Sequence, residues 1–436
     1  MIILEFMFEG FAGGVHPREH KLTQTHAIEV MPSPKRVYIH FSQHTGKPAR
    51  PLVQKDDVVK IGAKIGEDTG FISASIHASI SGRVLSIGNS PHPVLGSSLC
   101  CVIESTDGEE WEAGIKEKYD YENLPKEELI QIIKDAGIVG LGGAAFPTHV
   151  KLSPPPEKPI DTLIINGCEC EPMLTADHRL MLEYPIGIIE GAKIFQKILG
   201  ARDLIFGMED NKKDAAETLE KERVVVRVLK TKYPQGAEKQ LIKALLNRKV
   251  PRGGLPMDVG CVVHNVGTCY AAFQAAKFRK PLIDRVITVS GDGVKEPKNL
   301  LVRIGTPVLD VINFCGGYVG QPKKIVFGGP MMGIAQFSED VPIIKGTSGI
   351  LIWKDVKTEE EGPCVRCANC VDACPMGLMP TEIYKFVNNK DFKQAKEYGV
   401  LDCIECGCCA FVCPANIPLV HYLKYGKSEV WRLEKK

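Results

Sequence analysis

Nine of the sixteen cysteines in this 436-residue chain fall between Pro363 and Pro414, in two runs of one spacing. The first is Cys364, Cys367, Cys370 and Cys374 before Pro375; the second is Cys403, Cys406, Cys409 and Cys413 before Pro414. Both read C-x2-C-x2-C-x3-C-P, a spacing that sets three thiolates against one [4Fe-4S] cube. The fourth iron lies on the far side of the cube and needs a ligand from elsewhere. Zinc would be satisfied by C-x2-C pairs and would leave the third Cys and the Pro of each run without a role. A disulfide framework suits short exported chains. Here the opening MIILEFMF is apolar but short, carries Glu5, and lacks a basic start and a small-residue cleavage site, which argues against a signal peptide. Thiolate-held clusters therefore imply a reducing compartment, the cytoplasm.

The duplicated stretch resembles the two-cluster bacterial ferredoxins, in which the last Cys of each run ligates the other cluster. That resemblance gives Cys364, Cys367, Cys370 and Cys413 to the first cluster, and Cys403, Cys406, Cys409 and Cys374 to the second. Cys408 is a spare thiol; the repeated spacing favours Cys409 over it.

Length suggests two to four domains. A net charge of +1 with 25% charged residues gives no basic field for nucleic acid. No window approaches the roughly eighteen consecutive apolar residues of a spanning helix. Residues 1–115 carry short β-branched runs from Gly10 onward (RVYIHF, DVVKIGAKIG, SGRVLSI) punctuated by Gly, Pro and Asp, the pattern of a small barrel or sandwich. They look like a lipoyl/biotinyl barrel-sandwich without the modifiable lysine, hence a docking or structural module. His16, His20, His26, His40, His44, His77 and His92 lie here, and no pair has the spacing of ligands on one helix.

Residues 116–290 read as an α/β domain. PKEELIQIIKDAG has Pro125 at a helix start, early acids, apolar residues every three to four positions and Gly137 as a stop. A Gly-rich turn follows at Gly140, Gly142 and Gly143, then a strand ending at Asn166, the loop GCECEP and a long helix near 178–199. Alternating strands and helices then predict a largely parallel sheet with sites at strand C-termini. The GxGxxG dinucleotide template is not met. Residues 291–355 hold one helix and two strands; 356–436 begin with the acidic linker VKTEEEGP and contain the cysteine runs.

Four segments in order carry a resemblance. GLGGAAFPTHVK is similar to GRGGAGFPTGLKW of the 51 kDa flavoprotein subunits of respiratory complex I, NGCECEP to NADEGEP, YPQGAEKQLI to YICGEETAL, and VVHNVGT to VVNNVET. With GGVHP, QHTGKPA, SASIHASISG, ADHRLM and the paired cysteine runs, nearly the whole chain resembles the RnfC family, subunits of the Rnf ferredoxin:NAD+ oxidoreductases. The resemblance implies a multidomain α/β architecture: an N-terminal barrel-sandwich, an FMN- and NADH-binding domain, a β-grasp domain of SLBB type and a helical ferredoxin-like module.

It also implies roles. Gly140, Gly142, Gly143 and Lys151 would cradle the FMN phosphate and ring edge, and Asn166 would bond the ring. Glu169 and Glu171 would lie near flavin and nicotinamide. Tyr233, Gly236 and Glu238 form the second loop; His264, Asn265 and Thr268 form the third. Leu141 stands where the family has arginine, Ala237 where an acid is usual, and Cys168 and Cys170 enter the acidic loop, where a metal pair lacks partners. The implied activity is that of an oxidoreductase and translocase subunit, peripheral on the cytoplasmic face of the membrane. It would pass electrons between clusters, FMN and NAD(H) with no side chain as general acid or base, beside membrane partners and an iron-sulfur subunit that accepts from ferredoxin. Alternatives are an NADH-oxidising subunit of a soluble hydrogenase or reductase, and a cluster relay without flavin.

Overall fold

The computed structural model describes residues 10–106, 108–357 and 359–434; the opening MIILEFMF lies outside the described residues. Between Arg36 and Ser105 alternating side chains turn inward, Val37 and Ile39 fully buried beside exposed Arg36. Strands Arg36–His40, Gly96–Ser105, Gly82–His92 and Val58–Val59 form one antiparallel sheet, and Arg50–Pro51, Lys64–Glu67 and Ile76–His77 a second. Phe41, Ile65, Ile80 and Ile103 join Val37 and Ile39 in filling the space between them, which makes the expected barrel-sandwich. His40, His44 and His92 spend ring nitrogens on the carbonyls of Pro91, Lys47 and Ser42. Among the described residues no three Cys, His, Asp or Glu side chains stand where they could hold one metal ion.

The strand Ile28–Val30 leaves this barrel, although the β-rich pattern begins at Gly10. It pairs in parallel with Lys298–Arg303 at the edge of a six-stranded mixed sheet. Three residues carry too little period to say which sheet they join. The remaining strands of that sheet are Asp284–Ser290, Gly349–Trp353, Lys324–Phe327 and Ile334–Ala335. Asp284–Ser290 is central in it and packs through Ile287 and Val289 on the helix Val308–Phe314.

The α/β region starts at helix Lys126–Asp135, which buries Leu129 and Ile133 and ends before Gly137 at φ +63. Strands Val225–Leu229, Asp203–Glu209, Thr162–Asn166 and Cys261–Asn265 form a sheet in that order, parallel throughout. Leu163, Ile165, Phe206 and Val262 face helices Pro185–Leu199 and Val266–Phe278, while Ile164, Cys261 and Val263 face helix Glu238–Leu246. The long helix expected near 178–199 is two, Ala176–Glu183 and Pro185–Leu199, since Pro185 opens a new first turn.

The cysteine runs end on the four-residue helices Asn369–Asp372 and Cys408–Phe411. Helices Pro380–Asn388 and Phe392–Glu397 separate them, and Ile383, Val387, Ala395, Leu423 and Val430 make a small core with the terminal helix Leu419–Glu434. That helix packs on its own module. Among the described residues no helix is long and apolar enough to cross a membrane.

Candidate functional site

A parallel sheet puts every strand's C-terminus on one edge, and here Asn166 sits in register between Gly207 and Asn265. Asn166 donates from Nδ2 to the carbonyl of Gly236 at 2.8 Å and accepts from the Cys168 amide at 3.1 Å. Asn265 caps helix Val266–Phe278, accepting from the Gly267 amide, and donates to Asp177 at 2.6 Å. Lys151, on the short helix Thr148–Lys151, reaches the Val263 carbonyl and pairs with Glu238 at the start of helix Glu238–Leu246.

Above this edge runs the glycine turn. A Cβ on Gly142 would stand 3.4 Å from Asn265, and Gly143, at φ +124, faces open space. The turn is held from behind: the Leu141 amide donates to Thr268 Oγ1 at 2.9 Å, Arg285 donates to the Leu141 carbonyl at 3.3 Å, and Thr45 donates to the carbonyls of Ala144 and Ala145. Among the described residues the N–H groups of Gly142, Gly143 and Ala144 make no well-formed hydrogen bond within the chain. Three successive open donors where a side chain would intrude fit an anionic or planar group.

Gly140, Gly142, Gly143, Lys151, Asn166, Gly236, Glu238 and Asn265 thus converge, and Thr268 supports them. Others point elsewhere. Glu169 accepts from the amides of Asp177 and His178 and caps the helix Ala176–Glu183. Glu171 accepts from the amides of Met331 at 3.0 Å and Met332 at 2.9 Å, so the segment GGPMMG is a socket for this carboxylate. Burial raises Glu171 to about 7 against those two donors. Asp177, half-buried and beside Glu169, is also raised to about 7 by desolvation and by that neighbouring charge. His264 turns into the helical layer with its ring centroid 4.4 Å from Phe195, and burial holds it well below its ordinary pKa, hence neutral. Cys168 is fully buried, and burial pushes Cys170 up to about 12. Both are packed neutral thiols.

In the cysteine module one recess is lined by Cys374 together with Cys403, Cys406, Cys408 and Cys409. The last Cys of the first run therefore stands with the first three of the second. Cys370 and Cys413 pack together with Cys409 around Ile417 and Leu419. Cys364 and Cys367 are exposed, whereas Cys406, Cys408 and Cys409 are buried.

The two halves meet at Tyr233, which is buried and donates its hydroxyl to the Cys406 carbonyl at 2.8 Å. It packs with Cys170, Cys406, Cys408 and Met331 in one apolar cluster. Gln240, on the helix begun by Glu238, donates to the Pro375 carbonyl at 3.1 Å. Asp177, Arg285, Gln240 and Met331 belong to this arrangement without having been singled out by sequence, although Asp177 lies in the ADHRLM segment and Gln240 in YPQGAEKQLI.

Family models match in the same order as these units: RnfC barrel sandwich hybrid domain at 9–109, Nuo51 FMN-binding domain at 133–274, SLBB domain at 286–335 and 4Fe-4S dicluster domain at 356–414. Over 97% of its length the chain is 50% identical to a Clostridium ljungdahlii protein named as part of the proton-translocating ferredoxin:NAD(+) oxidoreductase complex, covering 94% of that protein. Over 96% of its length it is 41% identical to the corresponding protein of the Na(+)-translocating ferredoxin:NAD(+) oxidoreductase complex of Acetobacterium woodii, covering 97% of it. A protein of the ion-translocating oxidoreductase complex of Rhodobacter capsulatus is 41% identical over 96% of this chain and 82% of its own.

Proposed function

The chain belongs to the RnfC family, whose members are subunits of the ion-translocating ferredoxin:NAD+ oxidoreductase complexes, and from that premise we propose that it is the arm of such a complex that reacts with NAD(H) and passes electrons between FMN and two [4Fe-4S] clusters. FMN, when bound, takes two electrons as hydride and releases them singly, the conversion that nicotinamide and clusters cannot make between themselves.

The chain's own work is positioning and insulation. Open N–H groups at Gly142, Gly143 and Ala144 offer donors to the phosphate or ring edge, with Lys151 and the strand-end amides of Asn166 and Asn265 beside them. Thr268 fixes the turn, and Gly140 and Gly236 keep side chains out. Glu169 and Glu171 shape the acidic loop through the amides from which they accept. His264 acts only as packing beneath it. No side chain is assigned general acid–base work.

Cys364, Cys367, Cys370 and Cys413 are assigned to one cluster and Cys403, Cys406, Cys409 and Cys374 to the other. The buried second cluster would be the one nearer the flavin, and the exposed Cys364 and Cys367 would mark the exit toward membrane partners and an iron-sulfur subunit that accepts from ferredoxin. With this role in a membrane-associated complex, the chain belongs on the cytoplasmic face. One observation supports the reading above all others: Tyr233 joins the strand-end loops to the cysteine recess through the buried bond from its hydroxyl to the Cys406 carbonyl. Anaerobic purification of the full chain after reconstitution tests it, with one FMN and about eight irons expected per chain. Eight irons without flavin would leave only the relay reading.

A further inference from the structure

The segment from Gly10 to Val30 belongs to no core of its own and touches each half of the electron path in turn. The Gly14 amide donates to the Ala373 carbonyl at 2.9 Å, next to Cys374. Val15 and Tyr233 exchange backbone bonds of 2.8 and 2.9 Å. Lys232 donates to the Phe11 carbonyl at 2.9 Å and lies over the Phe11 ring. The Met173 amide donates to the Glu19 carbonyl at 2.7 Å. Half-buried Lys21 donates to three carbonyls of the acidic loop, those of Glu169, Glu171 and Leu174, at 2.8, 3.1 and 2.7 Å. Contact is so close that only glycine fits: a Cβ on Gly13, at φ +73, would stand 2.6 Å from the Cys374 carbonyl oxygen, and one on Gly14, at φ +82, 2.6 Å from that of Tyr233.

We propose that residues 11–21 are a positioning strap for electron transfer: by clamping Cys374, Tyr233 and the acidic loop to one another they set the separation between flavin and the second cluster. The proposal rests on the FMN and cluster reading above. A fastener that merely joined modules could bind anywhere on their surfaces. This one grips the backbone of a cluster ligand at one end and the loop at the strand ends at the other. In the reaction served, NADH leaves as NAD+ with loss of a proton, and each cluster gains one electron.

The test uses the full reconstituted chain under anaerobic conditions, with Gly13→Val and the milder Lys232→Met, which removes the Phe11 anchor and no cluster ligand. Flavin bleaching by NADH is expected to stay at the wild-type rate in both. The NADH-driven cluster signal, normalised to clusters that dithionite can reduce, should slow roughly tenfold or more in Gly13→Val and by a smaller factor in Lys232→Met, since small displacements of reacting centres cost orders of magnitude. The EPR line shape of the second cluster should shift in Gly13→Val while that of the first does not. If Gly13→Val loses the second cluster outright, Lys232→Met decides. A wild-type rate per intact cluster in Lys232→Met, or in a Gly13→Val chain that keeps its iron, would overturn the proposal. A wild-type chain that binds no flavin would sink the functional reading first, and the strap with it.

Discussion

The Tyr233 hydroxyl lies 2.8 Å from the Cys406 carbonyl oxygen, bonding two buried residues 173 positions apart. The bond fixes a loop of the parallel sheet to the backbone of the second cysteine run. Removing the hydroxyl with Tyr233→Phe keeps the ring and its packing and forfeits one buried bond, about 1 kcal/mol. Expected are unchanged iron and flavin contents and a displaced midpoint potential for the second cluster only, read by EPR-monitored titration. An unmoved potential would mean that the bond has no influence on the cluster.

Cys374 shares a recess with Cys403, Cys406 and Cys409 rather than with the rest of its own run. Cys374→Ala should therefore abolish or alter the second cluster's signal and spare the first, and Cys413→Ala should do the reverse. Equal loss of both clusters in either variant would contradict the crossed ligation.

At Gly142 a bulky side chain would press on Asn265 and cover the open amides of the turn. Gly142→Val is expected to reduce bound FMN at least roughly tenfold, the scale of a site filled by a side chain, with the iron content intact. Flavin fluorescence after acid release measures the first and a colorimetric assay the second. Full FMN occupancy in the variant would remove the turn from the site.

Burial raises Glu171 from an ordinary 4.5 to about 7, so the folded chain binds this proton more tightly than the unfolded one does. For such a group stability is present below the unfolded pKa and is lost as pH rises toward the folded one. Relative to Glu171→Gln, the wild type should thus lose thermal stability between about pH 4.5 and 7 and level off above. A difference in melting temperature that does not change with pH would show that Glu171 is not the titrating group.

Local chemistry was readable from sequence, and distant pairing was not. Each cysteine run announces the 4Fe-4S dicluster module within eleven residues, and Pro125, Glu127 and Gly137 bracket a helix that forms at 126–135. The alternation of β-branched and helical segments after Thr162 carries enough period to announce a parallel sheet. Glu171, in contrast, meets Met331 across 160 residues, and nothing near either one signals the other. Ile28–Val30 has too few side chains to show a preference between two sheets. His264 lies one position before the strand end, so the period of two turns it into the helical layer while Asn265 reaches the edge. The glycines of GGVHP were visible as a motif, but their reason, backbone contact with Cys374 and Tyr233, exists only in the folded chain.

Rapid freeze-quench EPR of the reconstituted chain, mixed anaerobically with NADH alone, examines the junction of flavin and clusters most directly. Expected are bleaching of flavin absorbance followed, in the same molecules and without added mediator, by the spectrum of reduced [4Fe-4S] clusters. Flavin that bleaches while the clusters stay oxidised, though dithionite reduces them, would show that the two halves joined at Tyr233 are not one electron path.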